Sequence, residues 1–515
     1  MAAGDRCVAS LLSMASMSDF DGQFRIATED TPVPDGAFRR RLGGISVDIF
    51  DLLPVCDVFD RFGRLIGLLL GMPIDTDAGT VLGGSYVFDA NLPEQIGVEA
   101  LVEACLYRLA GSFVFILAVA GFRRLYLDAN GTKSAVYDAA ARVAAATAAL
   151  LLDPSSYLRR LDTSLRHAVR ADNDGWFPAG LTAHEGVQRL TCNHFLDLDR
   201  WEAVRHWPSG PIERDSTPER CLGVVVTETR RTIELLSAHG EGCMALTAGY
   251  DTRLLLACSR PVHRDIRYVT VREPSAELDV VRSGELACRF GLRHELLPYI
   301  EACDAEKDRW LRKVGHSVAG SNLAMHPSTK PLEGKIFMGG VGGEVGRGAL
   351  WLNSDDDTRL SVEGLLLRLR LPRHPLLCER VDAWLQPLKG LNSLLILDLA
   401  FMELRVSSWA FAQAYALPRV REINPLISRR NYEAMLSLPV EFRANQGMFL
   451  TAFRELWPEL LSLPVNRYGD WRDRCAFVRK AVSHPGRAWR KLKRRSCVKF
   501  GNAVGRLMKA GKAQE

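Results

Sequence analysis

The sequence predicts an α/β chain, a strand-rich N-terminal sandwich followed by a parallel α/β domain. Three observations carry that expectation. In Cys243–Ala257 a short apolar run ends in small residues, then Asp251-Thr252-Arg253, then a second apolar run. That pattern reads as a buried strand, a tight turn and the start of a helix. From Glu219 past His294 the order is helix, strand, helix, strand, helix, strand, which implies a parallel sheet with crossover helices. Before Pro208, short apolar strands follow one another between turn residues. At 515 residues the chain exceeds a single core. The expected divisions are 1–208, 215–470 and a basic C-terminal tail, 471–515.

In chain order, Ser112–Val119 reads as a buried strand, and Arg123–Asp128 follows after a turn at Gly121. Asn130-Gly131 is a hairpin signal leading to Ala135-Val136-Tyr137, so the three strands are expected to form a meander. Glu185–Leu198 reads as a further hairpin with Cys192-Asn193 in its turn, where Asn tolerates a turn conformation. Trp207 and Pro208 open a polar linker to Pro218. Glu219–Leu236 is then a helix feeding the Met244–Leu246 strand, and Asp265–Val271 is a second strand with Thr270 near its end. Glu277–Ala287 is helical with Gly291 as its C-cap, and a third strand begins near His294.

Ligands of such sheets sit at the carboxyl ends of the strands, where Thr247–Thr252 falls. Small residues there let backbone N–H groups approach an anion, and the helix N-terminus adds its dipole. Asp251 would not touch a phosphate directly, and a bridging Mg2+ reconciles the two. A second loop, Gly339–Gly348, follows an apolar strand and is glycine-rich, so backbone can approach a ligand. No Walker Gly-x-x-x-x-Gly-Lys-Ser/Thr occurs.

Thr247-Ala248-Gly249-Tyr250-Asp251-Thr252 resembles the pyrophosphate loop of the asparagine synthetase family, whose usual form is Ser-Gly-Gly-x-Asp-Ser. Ala248 stands for the first Gly. Gly339-Gly340-Val341-Gly342-Gly343-Glu344-Val345 resembles that family's Ser-Gly-x-Gly-x-Asp-Glu, with Gly339 for Ser, Glu344 for Asp and Val345 for the final Glu. The order of the loop, Asp279 and His294 is also similar, as is Glu422 shortly before Pro425-Leu426. In the N-terminal part Gly111, Phe113, Asp128, Gly131 and Tyr137 stand in the order of the family's glutaminase half.

The resemblance implies an N-terminal-nucleophile-like sandwich joined to an adenine nucleotide α-hydrolase-like, pyrophosphate-loop domain. It implies ATP and Mg2+ as cofactors, with Asp251 and Glu344 as metal-binding, catalytic carboxylates. Leu246, Thr247, Gly249, Thr252, Arg253, Thr270, Gly339 and Gly340 would hold the nucleotide. The reaction implied is adenylation of a small-molecule carboxylate and its capture by an amine. Relatives that hydrolyse glutamine use a Cys after the initiator Met, whose α-amino group is the base. Ala2 stands there and Cys7 is the nearest thiol, so no glutamine hydrolysis is expected, as in β-lactam synthetase-like members. Relatives also supply a late Lys to the pyrophosphate. Between Asn431 and Asn466 there is none, and Arg443 and Arg454 are the cations. Ala248, Val345 and that missing Lys favour the competing reading, a non-catalytic nucleotide-binding or scaffolding member.

Composition bounds the rest. With 47% hydrophobic and 25% charged residues, the chain is globular rather than disordered. No apolar run approaches the roughly 18 residues of a membrane span, and Met1–Arg6 lacks a signal peptide's apolar region. The twelve Cys show no metal-site spacing, as in a cytoplasmic protein with reduced thiols. The net charge of +5 is concentrated after Trp471, notably in Arg490–Arg495. Charge alone speaks for nucleic acid, which is not an expected partner; binding lost with salt and with that segment would reveal it.

Overall fold

Alternation decides which way the long strands of the first half face. In Leu65–Asp75, Leu68 and Leu70 enter one core and Leu69 another. In Leu109–Val119, Val114 and Ile116 join the first core, and Phe113, Phe115 and Leu117 the second. A strand covered on both faces needs apolar residues at every position, which explains the unbroken run in the sequence. The second core is closed by Val102, Cys105 and Leu106 of the helix Val98–Arg108.

The structure is a computed structural model describing residues 17–27, 31–88, 98–119, 121–170, 175–212, 217–317, 320–352 and 360–474. Ala2, Cys7 and Arg490–Arg495 lie outside them. Residues Met1–Leu460 form one compact unit and Leu461–Glu515 a second. The fold is mixed α/β. Its strands are β1 (Phe24–Ala27), β2 (Ala37–Leu42), β3 (Ile45–Phe50), β4 (Val55–Phe59), β5 (Leu65–Asp75), β6 (Thr80–Val81), β7 (Gly84–Val87), β8 (Leu109–Val119), β9 (Phe122–Leu127), β10 (Val136–Asp138), β11 (Val143–Ala145), β12 (Gln188–Arg189), β13 (His194–Asp197), β14 (Glu202–Arg205), β15 (Gly242–Ala245), β16 (Arg267–Val271), β17 (Arg293–Leu297), β18 (Ile336–Met338) and β19 (Arg421–Ile423).

One sheet runs β12-β10-β11-β1-β3-β2, and a second β14-β13-β9-β8-β5-β4-β7 with β6 on β5. Apart from the parallel β4–β7 pair, the strands of these two sheets pair antiparallel. Both contribute to one core: Phe24, Val47 and Ile49 from the first, Leu68, Val114 and Leu125 from the second. Trp310, Val314, Phe411 and Tyr415, from far along the chain, complete it.

The expected meander is corrected here. β8 and β9 pair, but β10 pairs with β11 and β12 in the other sheet. Asp128 is the cause. Its Oδ1 accepts from the N–H groups of Asn130 and Thr132 (both 3.0 Å), and Oδ2 from that of Lys133 (3.1 Å). The backbone wraps around this buried carboxylate instead of reversing, so Asn130-Gly131 carries the chain between sheets. Cys192-Asn193 does the same: β12 and β13 flank it in different sheets, and the hairpin is β13–β14. Asn193 does take the left-handed turn conformation, with φ +68°.

The third sheet is parallel throughout, in the order β17-β16-β15-β18-β19. The helix Pro218–His239, started by Thr217 capping the N–H of Arg220 with Pro218 at its first position, leads into β15. The helix Glu277–Phe290 links β16 to β17 and ends on Gly291 at φ +61°, as its sequence signal predicts. Chain order steps outward from β15 to β17, then returns to the far side of β15 at β18. That reversal is a topological switch point, where loops from adjacent strands diverge and leave a crevice at their carboxyl ends. No described helix is long and apolar enough to cross a membrane.

Candidate functional site

Two loops meet at that switch point. The first leaves β15 through Leu246 and Thr247 and enters the helix Tyr250–Cys258, whose N-cap is Gly249. It is laced by its own side chains. Thr247 and Thr252 join through their hydroxyls at 2.7 Å, and Thr247 Oγ1 accepts the Gly249 N–H (3.1 Å). The Ala248 N–H donates to Asp279 Oδ1 at 2.8 Å, so the helix Glu277–Phe290 props this loop. At its base the Thr270 hydroxyl donates to the Leu246 carbonyl (2.6 Å) and meets His294 Nε2 (2.9 Å). Leu246, Thr270 and His294 thus link the carboxyl ends of β15 and β16 to the start of β17.

The second loop leaves β18. Gly339 donates its N–H to the Ile423 carbonyl, and a Cβ on it would stand 2.4 Å from Asn424 Oδ1. A Cβ on Gly340 would lie 3.0 Å from Thr252 Cγ2, and one on Gly343 only 2.2 Å from Asp251 Oδ1. The loops therefore touch, and they touch because these positions carry no side chain. Contact brings Asp251 against Arg347, whose Nη1 donates to both carboxylate oxygens at 2.9 Å. Arg347 Nη2 stands 3.7 Å from Glu344 Oε1, and Glu344 Oε2 accepts the Gly342 N–H (3.2 Å). Burial, and next the Glu344 charge, push the Asp251 carboxyl above its ordinary value against the pull of Arg347.

The structure thus brings Asp251, Glu344, Thr247, Gly249, Thr252, Gly339 and Gly340 together. Arg253 is not among them. Its side chain is fully buried and Nη1 donates to the Leu460 carbonyl at 3.3 Å, away from the two loops' carboxylates. Arg443 is also removed from solvent, on Asp398 and the Val345 carbonyl; it supports the second loop from behind. Arg347 is the residue that sequence reasoning passed over. The available signal was its spacing, three residues after Glu344.

No family model and no curated protein matches this chain.

The two carboxylates expected to hold Mg2+ are bridged by a guanidinium. As arranged they do not fit a divalent ion, because Arg347 engages both Asp251 oxygens and stands beside Glu344 as well. Among the described residues no three His, Cys, Asp or Glu side chains are grouped to hold a metal. A cavity of about 400 Å3 lies elsewhere, lined by Asp21, Arg309, Lys313, Lys330 and Arg419 among others, and includes none of these loop residues.

Across the second loop, Glu422 in β19 is partly buried, and a Cβ on Gly339 would lie 3.3 Å from its Oε1. Burial pushes this carboxyl up to about 7, and the Asn424 amide (3.4 Å) only partly opposes it. The folded pKa exceeds the ordinary 4.5, so the folded state holds the proton more tightly. Its contribution is full below about pH 4.5 and is lost as pH rises through about 7. Glu422→Gln should therefore match the wild type near pH 4 and be more stable at pH 8, by at most on the order of 3 kcal/mol. Thermal melts at the two pH values test this. A gap independent of pH would refute it.

Proposed function

We propose that the chain binds ATP in the switch-point crevice and uses it to adenylate a small-molecule carboxylate, which an amine then captures as an amide. The observation that carries this is the meeting of the Thr247–Thr252 and Gly339–Arg347 loops at adjacent parallel strand ends, which brings Asp251, Glu344 and Arg347 together. On this reading the parallel domain is of the pyrophosphate-loop type, and the two N-terminal sheets form the sandwich of a glutaminase-like half. A substrate carboxylate oxygen attacks the α-phosphorus, and the bond from that phosphorus to the pyrophosphate oxygen breaks. The amine nitrogen then attacks the acyl carbon, AMP leaves, and the amine's proton passes to a base. Glu422, raised to about 7 beside Gly339, is suited to accept it. A divalent ion, when bound to ATP, would add charge neutralisation; no step here depends on one.

The test is pyrophosphate release from ATP, measured across a panel of carboxylic acids with ammonia present. Release that depends on one acid is expected. A second reading, nucleotide binding without turnover, is favoured by the loop's own saturation: the N–H groups of Thr247, Ala248 and Gly249 already have side-chain acceptors. ATP binding with no release under any acid would establish that reading, and absence of ATP binding would remove both.

A further inference from the structure

We propose that Arg347 is the resident cation of this site, and that phosphate-bearing ligands bind to it without a divalent metal. The proposal rests on the phosphate-binding reading of the two loops. A carboxylate pair at a phosphate site normally needs a hard cation to reconcile it with the ligand. Here a guanidinium already serves both carboxylates, at 2.9 Å from each Asp251 oxygen and 3.7 Å from Glu344. Guanidinium carries five N–H donors in a flat fork and is charged at any working pH. Nη1 serves Asp251, so that carboxylate can orient the group while its other edge meets phosphate oxygens. The surroundings are built for this placement. Gly343 leaves the space in which Asp251 and Arg347 meet, and the Arg347 guanidinium lies over the Phe449 ring at 5.6 Å. Phe449 in turn packs on Tyr250, which precedes Asp251. Arg347 keeps 23% of its side-chain surface exposed, against none for Arg443 and Arg253, so among these three it is the cation a ligand can reach.

Calorimetry with ATP and with inorganic pyrophosphate, each in EDTA and in Mg2+, tests the proposal. Wild type should bind in EDTA within about threefold of its affinity in Mg2+. Arg347→Met should lose tenfold or more in EDTA and regain binding when Mg2+ is supplied, now that Asp251 and Glu344 are open to it. Arg347→Lys should fall between, and a melting curve for each variant reports its fold. Wild-type binding confined to Mg2+ overturns this proposal while leaving the phosphate reading intact. So does equal EDTA affinity in wild type and a folded Arg347→Met. No binding of either ligand in either condition overturns the phosphate reading, and this proposal with it.

Discussion

Replacing Glu403 with Leu is expected to cost the protein about 3–5 kcal/mol, or to prevent folding. Glu403 is buried, and its carboxylate is the hub of a polar cluster between the first sheets and the late helical region. It accepts from Arg205 Nη1 and Nη2 at 2.6 and 2.7 Å, from Asn193 Nδ2 at 2.8 Å and from Trp384 Nε1 at 2.6 Å. Leu fills a similar volume but removes the carboxylate that Arg205, the Asn193 amide and the Trp384 indole N–H share, leaving Arg205 only the Trp207 carbonyl (3.0 Å). Burial alone would raise this carboxyl; Arg205 and the hydrogen bonds outweigh it and hold the group below its ordinary value. A depressed acid stabilises above its unfolded value near 4.5 and loses that contribution as pH falls through the folded one. Glu403→Gln should accordingly lose less stability than wild type on acidification below about pH 4. Urea midpoints at pH 7 and pH 3 measure both effects, and an unchanged midpoint for Glu403→Leu would sink the account.

Arg443→Met should have a comparable effect and a functional one besides. Arg443 and Asp398 are both buried, 2.8 Å apart, and the same Arg443 Nη2 donates to the Val345 carbonyl. Truncation takes the Arg443 guanidinium away from the buried Asp398 carboxylate, at about 3–5 kcal/mol. It also releases the Gly343–Arg347 turn from behind, so the Arg347–Asp251 pair loses its support. Adding Asp398→Leu removes the carboxylate that paired with Arg443 and should restore part of the stability, though not the loop's anchor. Thermal melts of the single and double variants decide the matter. A double variant no more stable than Arg443→Met would refute the ion-pair explanation.

Local signals were legible where local chemistry decides. The buried run at Ser112–Val119 lies within β8, Gly291 caps its helix, and Thr247–Thr252 lies at the carboxyl end of a parallel strand. Pairing between distant segments was not legible. Nothing near Asn130 states that Asp128 will gather three backbone N–H groups and send β10 to the other sheet. The same limit applies to the arginines. Sequence separates neither Arg253 and Arg443, which are buried, nor Arg347, which is the one at the loops. Which arginine reaches a carboxylate depends on packing, and here on a glycine at 343.

The shared core of the first two sheets bears on how the chain is made. Phe24, Val47 and Leu125 pack in one cluster with Trp310, Phe411, Tyr415 and Ala416. A ribosome finishes the N-terminal strands long before it delivers those late partners. At about 5–20 residues per second, the stretch from Trp201 to Ala416 takes roughly 10–40 s to emerge. For that interval the newborn sheets expose aromatic and aliphatic surface that only the far end of the unit can cover. A message truncated before Trp310 should therefore yield an aggregating product rather than a free-standing first half, and slow elongation through this region should increase dependence on chaperones.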